Sequence, residues 1–521
     1  MSFAEDLVAF LNDSWTAFHA VAAAKSLLLA HDFVELDEME PWGQLQPQGK
    51  YFFTRNMSSL VAFCVGGRAT SDSGVALIGA HTDSPCPKLK PISKCSRGAC
   101  SMVAVAGYGG GLWHTWFDRD LTVAGRALVR EGPRIVHRLV KIERPILRTS
   151  TLAIHLTKGD ERGSFSPNLQ QHLYPMLATA IKESAMMGKK KSDSKDAKHS
   201  PLLLHILMEH LGCETEQDIL DFELQLCDTQ PSMIGGAANE FIFSGRLDNL
   251  CSSYQSLRAL VDSLDTLPEE PNVRAIALFD NEEVGSSSIA GAQGPILPDA
   301  IKRIVHGLHG GDQGLPADLL PRVIRKSFCV SADMAHAHHP NYPERHDPAL
   351  APKIHGGIVL KHNPNQRYAS SAVTSTIFRQ CCLKEDLPFQ EFATRSDTGC
   401  GSTIGPITAA LTGMRTVDIG SPQLSMHSVR EMMGADDAEH GYRALKAFFN
   451  NFSSVDRTLK VDKAPNGVPN GAGARHNVVE SQSQGDSLVT DGNDTQPTLQ
   501  QSVSEGSAHS GGKHKRKRRK H

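Results

Sequence analysis

The chain has 521 residues, with 54 Lys and Arg against 57 Asp and Glu, and 40% of it is hydrophobic. Near-neutral charge gives the folded body no general attraction for nucleic acid, and no run of about eighteen apolar residues is present to span a bilayer. Eleven cysteines, an odd number without CxxC spacing, argue against a disulfide framework and for a reducing compartment; the adjacent Cys381 and Cys382 read as buried filler.

The length suits two or more folded units, or one large α/β domain carrying an insertion. The first segment, MSFAEDLVAFLNDSW, reads as the opening helix of a soluble protein. Glu5 and Asp6 stand where a secretory or mitochondrial leader would carry Lys or Arg. Short apolar runs bounded by turn residues follow: GVALIGA (74–80), VRAIALFD (273–280), SFCVSAD (327–333), GGIVLK (356–361) and RTVDIG (415–420). Stretches such as 248–264 and 435–450 carry helical spacing between them, the signature of a mostly parallel sheet covered by helices. The region from about 86 to 240 breaks this alternation with Gly-rich, β-rich hairpins and reads as an inserted domain. Within it, MGKKKSDSKDAKH (187–199) lacks apolar periodicity and reads as a surface loop. From about Val455 the composition turns to Ser, Gln, Gly, Asn and Asp, the pattern of a disordered tail. The tail ends in the basic cluster KHKRKRRKH (513–521), a solvated end, a nuclear address or a weak polyanion contact.

In open α/β sheets, sites collect beyond the carboxyl ends of strands. Polar residues follow each apolar run here: His81 and Asp83 after the first, Glu282 and Glu283 after the second, Asp333 after the third, and His427 after the last. Asp248 opens a helical stretch. Singly, such residues are usually caps, turns or helix-dipole partners. Jointly they bring two histidines and several carboxylates to one sheet edge. A cation removes the repulsion between neighbouring carboxylates, and imidazole plus carboxylate without thiolates suits Zn²⁺, Mn²⁺ or Co²⁺. Two metals about 3.5–4 Å apart, with one bridging carboxylate, would activate a water. Of the paired glutamates, one then binds metal and the other is the general base. Asp83, two residues after His81, is expected to bond the second imidazole nitrogen and fix its tautomer.

Seven motifs, in order, GAHTDSP, SGRLDNL, FDNEEVGS, SADMAHA, QRYASSAV, DTGCGSTIGP and GSPQLSMHSVREM, resemble the aspartyl aminopeptidases of the M18 metallopeptidase family over roughly residues 5–452. The resemblance implies an α/β fold of the zinc-exopeptidase type, a mostly parallel sheet sandwiched by helices. The catalytic domain would comprise 1–85 and 242–454, with a β-rich dimerisation domain inserted at 86–241 and a tail at 455–521. It implies two Zn²⁺ per subunit on His81, Asp248 (bridging), Glu283, Asp333 and His427, with Glu282 as general base and Asp83 behind His81. Peptides with an acidic N-terminal residue would be the substrates, held by Lys361 with His336 and Tyr368 nearby and with Glu282 and Asp333 beside the amine. His155 would reach a neighbouring subunit's site within a homododecamer. Physically, Lys361 ends an apolar run, so its ammonium can favour a carboxylate in a partly buried pocket and reject a neutral side chain.

The chain departs from the family pattern in places. RTSTLAIHL stands where IPHLAIHL is usual, and DTGCG stands for DTPCG at 397–401. His338 has no assigned role. The expectation is a cytoplasmic aminopeptidase, with a nuclear fraction if the basic tail directs one, no membrane, and nucleic acid met only through a weak contact by 513–521. The alternatives are an M18 enzyme preferring neutral N-terminal residues, or an oligomeric scaffold with a polyanion-binding tail.

Overall fold

The computed structural model describes residues 2–188, 197–310 and 314–461. Its central sheet has nine strands in the order Val34–Glu35, Lys50–Arg55, Ser59–Val65, Val273–Phe279, Val75–His81, Phe328–Ala332, Arg415–Gly420, Ile358–Lys361 and Phe389–Phe392. The four middle strands, Val273–Phe279 to Arg415–Gly420, run parallel. Five of the eight neighbouring pairs are parallel and three antiparallel, so the sheet is mostly parallel as the alternation predicts.

Alternate side chains of each middle strand serve opposite faces, as the pleat demands. Ala76, Ile78, Ile276, Val330 and Val417 pack with helices Ala17–Ala30, Leu247–Val261, Ala372–Leu383 and Ala435–Thr458. Leu77, Ala275, Ala277 and Cys329 pack with Ile296–Leu308, Leu319–Lys326 and Ile404–Thr412. Burial on both faces is why these strands read as continuous apolar runs. The opening helix, Phe3–Asp13, starts with a capping box between Ser2 and Glu5.

The inserted region builds a six-stranded antiparallel sheet: Arg134–Lys141, Leu121–Glu131, Ile219–Asp228, Cys86–Arg97, Cys100–Tyr108 and Met176–Thr179. Its inner face packs with Leu203 and Leu207 of helix Pro201–Leu211. A third sheet joins Met233–Gly235, Phe241–Ser244, Glu431–Gly434, Pro422–Leu424 and Ala335–His336. The insert's own sheet stops at Asp228, and Met233–Gly235 pairs with Phe241–Ser244, which begins at the expected domain end of 241. The expected tail start at 455 is displaced. Helix Ala435–Thr458 runs past it, because Phe452 and Val455 lie on its buried face. Residues up to Val461 form one compact unit. Most of the 187–199 segment and all of 513–521 lie outside the described residues. Among the described residues, no helix is long and apolar enough to cross a membrane.

Candidate active site

Parallel register brings the chemistry together. Phe279 is the partner of His81, so the turn Glu282–Val284 emerges beside the segment 81–83. Ser331 pairs with Gly79; two residues further along each strand, Asp333 and His81 stand level. Asp248 lies in the first turn of Leu247–Val261, and His427 follows strand Pro422–Leu424. Arg246, Asn281 and His427 all adopt left-handed backbone conformations, φ +63°, +63° and +68°. Non-glycine residues rarely do so, and such strain gathers where surrounding structure fixes a functional geometry.

The carboxylate of Asp248 faces both imidazoles: Oδ1 is 3.3 Å from His81 Nε2 and Oδ2 is 3.3 Å from His427 Nε2. Asp333 Oδ1 is 3.4 Å from His81 Nε2, and Glu283 Oε2 is 3.3 Å from His427 Nε2. Glu282 Oε2 stands further off, 3.9 Å from His81 Nε2.

With protein groups alone this arrangement is electrostatically costly. Burial pushes the Glu282 pKa up to about 8, reinforced by Asp333, Asp248 and Asp83 against the pull of His81. Burial, then Asp248, pushes Glu283 well above the usual carboxylate range. Burial opposes a proton on either imidazole, but the facing carboxylates outweigh it; His81 rises well above its usual value and His427 to about 10. Asp248 Oδ1 and Asp333 Oδ1 are buried and accept no hydrogen bond.

These orphaned oxygens fit a cation. Donors around a tetrahedral zinc, with bonds of about 2.0–2.1 Å, stand roughly 3.3–3.4 Å apart, the spacing found here. His81, Asp248 and Asp333 form one group able to hold an ion, and Asp248, Glu283 and His427 another; a third grouping joins His81 with both glutamates.

Two buried carboxylates outside those groups hold the backbone. Asp83 accepts from the amides of Glu282 and Glu283 at 3.0 and 3.1 Å, and from the Tyr108 hydroxyl at 2.6 Å. Asp83 also faces His81 Nδ1, the nitrogen the sequence assigns to it: its main-chain carbonyl sits 3.0 Å away and its carboxylate Oδ1 3.4 Å away. Glu431 plays the matching part on the other side, accepting from the amides of Asp248 at 3.1 Å and His427 at 2.8 Å. Sequence reasoning missed Glu431; its position four residues after His427 was the available signal.

Lys361 ends its strand only 2% exposed. Its Nζ donates to the Met334 carbonyl at 2.8 Å, lies 3.8 Å from Asp333 Oδ2, and stands 5.2 Å from the centre of the Tyr368 ring. The buried Tyr368 and Phe392 stand beside it, their rings 6.4 Å apart. His336 sits at the wall of an adjoining cavity of about 430 Å³ that includes Phe392, Ser425 and Met426. His336 is exposed at its strand end; the surrounding protein, then the charge of Lys361, lowers its pKa, so it stays neutral at pH 7. His155 falls outside this constellation: it lies on the exposed turn Ile154–Leu156 of the inserted region. The His338 ring lies tilted against that of His346, ring centres 5.2 Å apart.

An α/β sheet that gathers imidazoles and carboxylates beyond its strand ends defines a metal-dependent hydrolase class. Residues 10–449 match the family described as Aminopeptidase I zinc metalloprotease (M18), and the chain belongs to that family of zinc aminopeptidases, hydrolases acting on peptides. It is 49% identical to a probable aspartyl aminopeptidase of Ricinus communis, an alignment covering 89% of this chain and 98% of that one. It is 44% identical to the aspartyl aminopeptidase of Dictyostelium discoideum, over 87% and 97% of the two chains. Among solved structures it resembles a chain of the Ape4 and Nbr1 complex, with TM-score 0.84, 40% identity and 88% of each chain covered. It also resembles the S. cerevisiae mApe1 dodecamer, with TM-score 0.76, 29% identity and 88% and 99% covered.

Proposed function

We propose that this enzyme releases N-terminal Asp or Glu from peptides, using two zinc ions that share Asp248. The observation that carries the acidic preference is Lys361, an almost fully buried ammonium beside the donor groups. A substrate carboxylate there would gain a charge-assisted partner, whereas a leucyl or alanyl side chain would leave the ammonium facing an apolar group. The names of the Ricinus and Dictyostelium relatives agree with this reading.

In this reading His81, Asp248 and Asp333 hold one ion, and Asp248, Glu283 and His427 the other. Bound zinc supplies Lewis acidity that polarises the scissile carbonyl and acidifies water. Glu282, set back from both groups, takes a proton from the attacking water and returns it to the leaving amine. Its backbone is fixed through Asp83, so the carboxylate keeps its aim while the proton moves. Tyr368 walls the pocket beside Lys361; His336, neutral at pH 7, offers a hydrogen bond without a second positive charge. Asp333 and Glu282 lie where the free amine of the substrate would be held.

The assembly belongs to the same proposal. Leu152, Ile154, Leu156 and Phe165 are each more than half exposed in the inserted region, and a relative of the same fold forms a dodecamer. Burying them between subunits would carry His155 towards a neighbour's site. Eleven free thiols suit a reducing, cytoplasmic setting.

Lys361→Met tests the specificity. The variant is expected to lose about 100-fold or more in kcat/KM for aspartyl and glutamyl peptides, while leucyl and alanyl peptides change little. An unchanged ratio of aspartyl to leucyl cleavage would overturn the pocket assignment.

A further inference from the structure

Residues 108–112, a short strap of the inserted region, touch the donor groups. Tyr108 is the last residue of strand Cys100–Tyr108. Its hydroxyl donates to Asp83 Oδ2 at 2.6 Å and accepts from Asn281 Nδ2 at 3.0 Å. Asn281 immediately precedes Glu282, and its own side-chain oxygen is taken by Ser288 at 2.7 Å. The ammonium of Lys88 lies 3.6 Å from the Tyr108 ring centre and fixes the ring from one face. Gly109, at φ +73°, passes so close to Glu283 that an added Cβ would stand 3.1 Å from the Glu283 Cβ. The Gly110 carbonyl lies 3.0 Å from His427 Nδ1, and the Leu112 amide donates to the His427 carbonyl at 3.0 Å.

Three consecutive residues of the insert therefore meet three different parts of the site: the carboxylate that holds the Glu282 and Glu283 amides, the flank of Glu283, and the far nitrogen of His427. An insert serving only assembly has no need of such contacts. We propose that Tyr108 is a positioning residue for the hydrolytic reaction, acting through Asp83 and Asn281 on the Glu282–Glu283 turn, and that the strap makes the inserted domain part of the working site.

The inference rests on the aminopeptidase reading for its turnover test. Outer partners of ligating groups typically change metal affinity or activity by 10- to 100-fold when removed. A general base displaced by a fraction of an ångström loses rate rather than substrate binding. Tyr108→Phe removes one oxygen and leaves the ring under Lys88. For this variant we expect kcat on an aspartyl peptide to fall about tenfold with KM within about twofold of wild type. Zinc affinity, measured by competition with a chromogenic chelator, should fall by about the same factor, while oligomer mass and the thermal midpoint measured in excess chelator stay close to wild type. Gly109→Ala, which crowds Glu283 directly, should lower zinc affinity further.

Wild-type kcat together with wild-type zinc affinity in Tyr108→Phe would overturn the proposal. So would a loss of rate that tracks a loss of oligomer mass and of thermal stability in excess chelator, the mark of an ordinary packing residue. If the wild-type protein cleaves no peptide, the activity reading fails, and the chelator competition still decides whether the strap seats the metal ligands.

Discussion

The central sheet and the inserted sheet use apolar residues in opposite ways. Strands Ser59–Val65, Val75–His81 and Val273–Phe279 are buried at every position, covered by helices of the same chain. Strand Arg134–Lys141 is buried at one position only, and Ile135 is 65% exposed. Ile92 at 64% and Leu156 at 64% repeat the pattern elsewhere in the insert. The first sheet spends its apolar surface internally and frees its carboxyl edge for polar groups that repel one another. The second leaves apolar surface unspent, as an element does whose covering partner is another chain. Under the proposed function the first region carries the chemistry and the second the assembly, joined by the strap at 108–112.

The largest expected effect lies at the sheet edge. Glu282→Gln should lower kcat by about 10²–10⁴ while zinc content stays at wild-type level, because in the proposed reading the residue moves protons and holds no metal. Metal analysis beside steady-state kinetics checks this; kcat near that of wild type would move the base elsewhere. A smaller effect is expected from the insert. Leu156→Asp should reduce oligomer mass in sedimentation or light scattering, while zinc bound per chain is unchanged. A variant that keeps its mass but loses zinc would blur the division between the regions.

The smallest effect concerns the seam between them. His19, on helix Ala17–Ala30, accepts or donates one bond with Thr16 Oγ1 at 2.8 Å and is 7% exposed. Burial, then Lys141 of the inserted sheet and Arg246, lowers its pKa from 6.5 to about 4. A histidine held neutral in the fold adds stability that is fully present above pH 6.5 and is lost as pH falls towards 4. At pH 5 the loss is about 2 kcal/mol. His19→Gln should flatten that part of the acid dependence, measured as the change in thermal midpoint between pH 7.5 and 5. An acid dependence identical to that of wild type would remove His19 from the account.

The residues legible in the sequence were those whose position along a strand sets their place in space. His81, Asp333 and the paired glutamates each follow an apolar run, and parallel register alone brings their levels together. Glu431, Tyr108 and Gly110 act differently. Glu431 meets the Asp248 amide across 183 positions, and Gly110 meets His427 across 317, through backbone groups that every residue possesses. Only the four-residue spacing of Glu431 from His427 offered a signal, and residue type announces none of these contacts. The tail start at 455 slipped for a related reason. Polar composition marks where apolar residues thin out, but Phe452 and Val455 are held by one helix face.

The central claim, a zinc site coupled to an acid-reading pocket, is tested most directly by one panel. Purified protein would be given matched aspartyl, glutamyl, leucyl and alanyl peptides, with and without chelator and with zinc, manganese or cobalt restored. The account predicts rapid release of Asp and Glu alone, abolished by chelator and recovered on adding metal. Release of Leu or Ala in preference, or release indifferent to chelator, would contradict it.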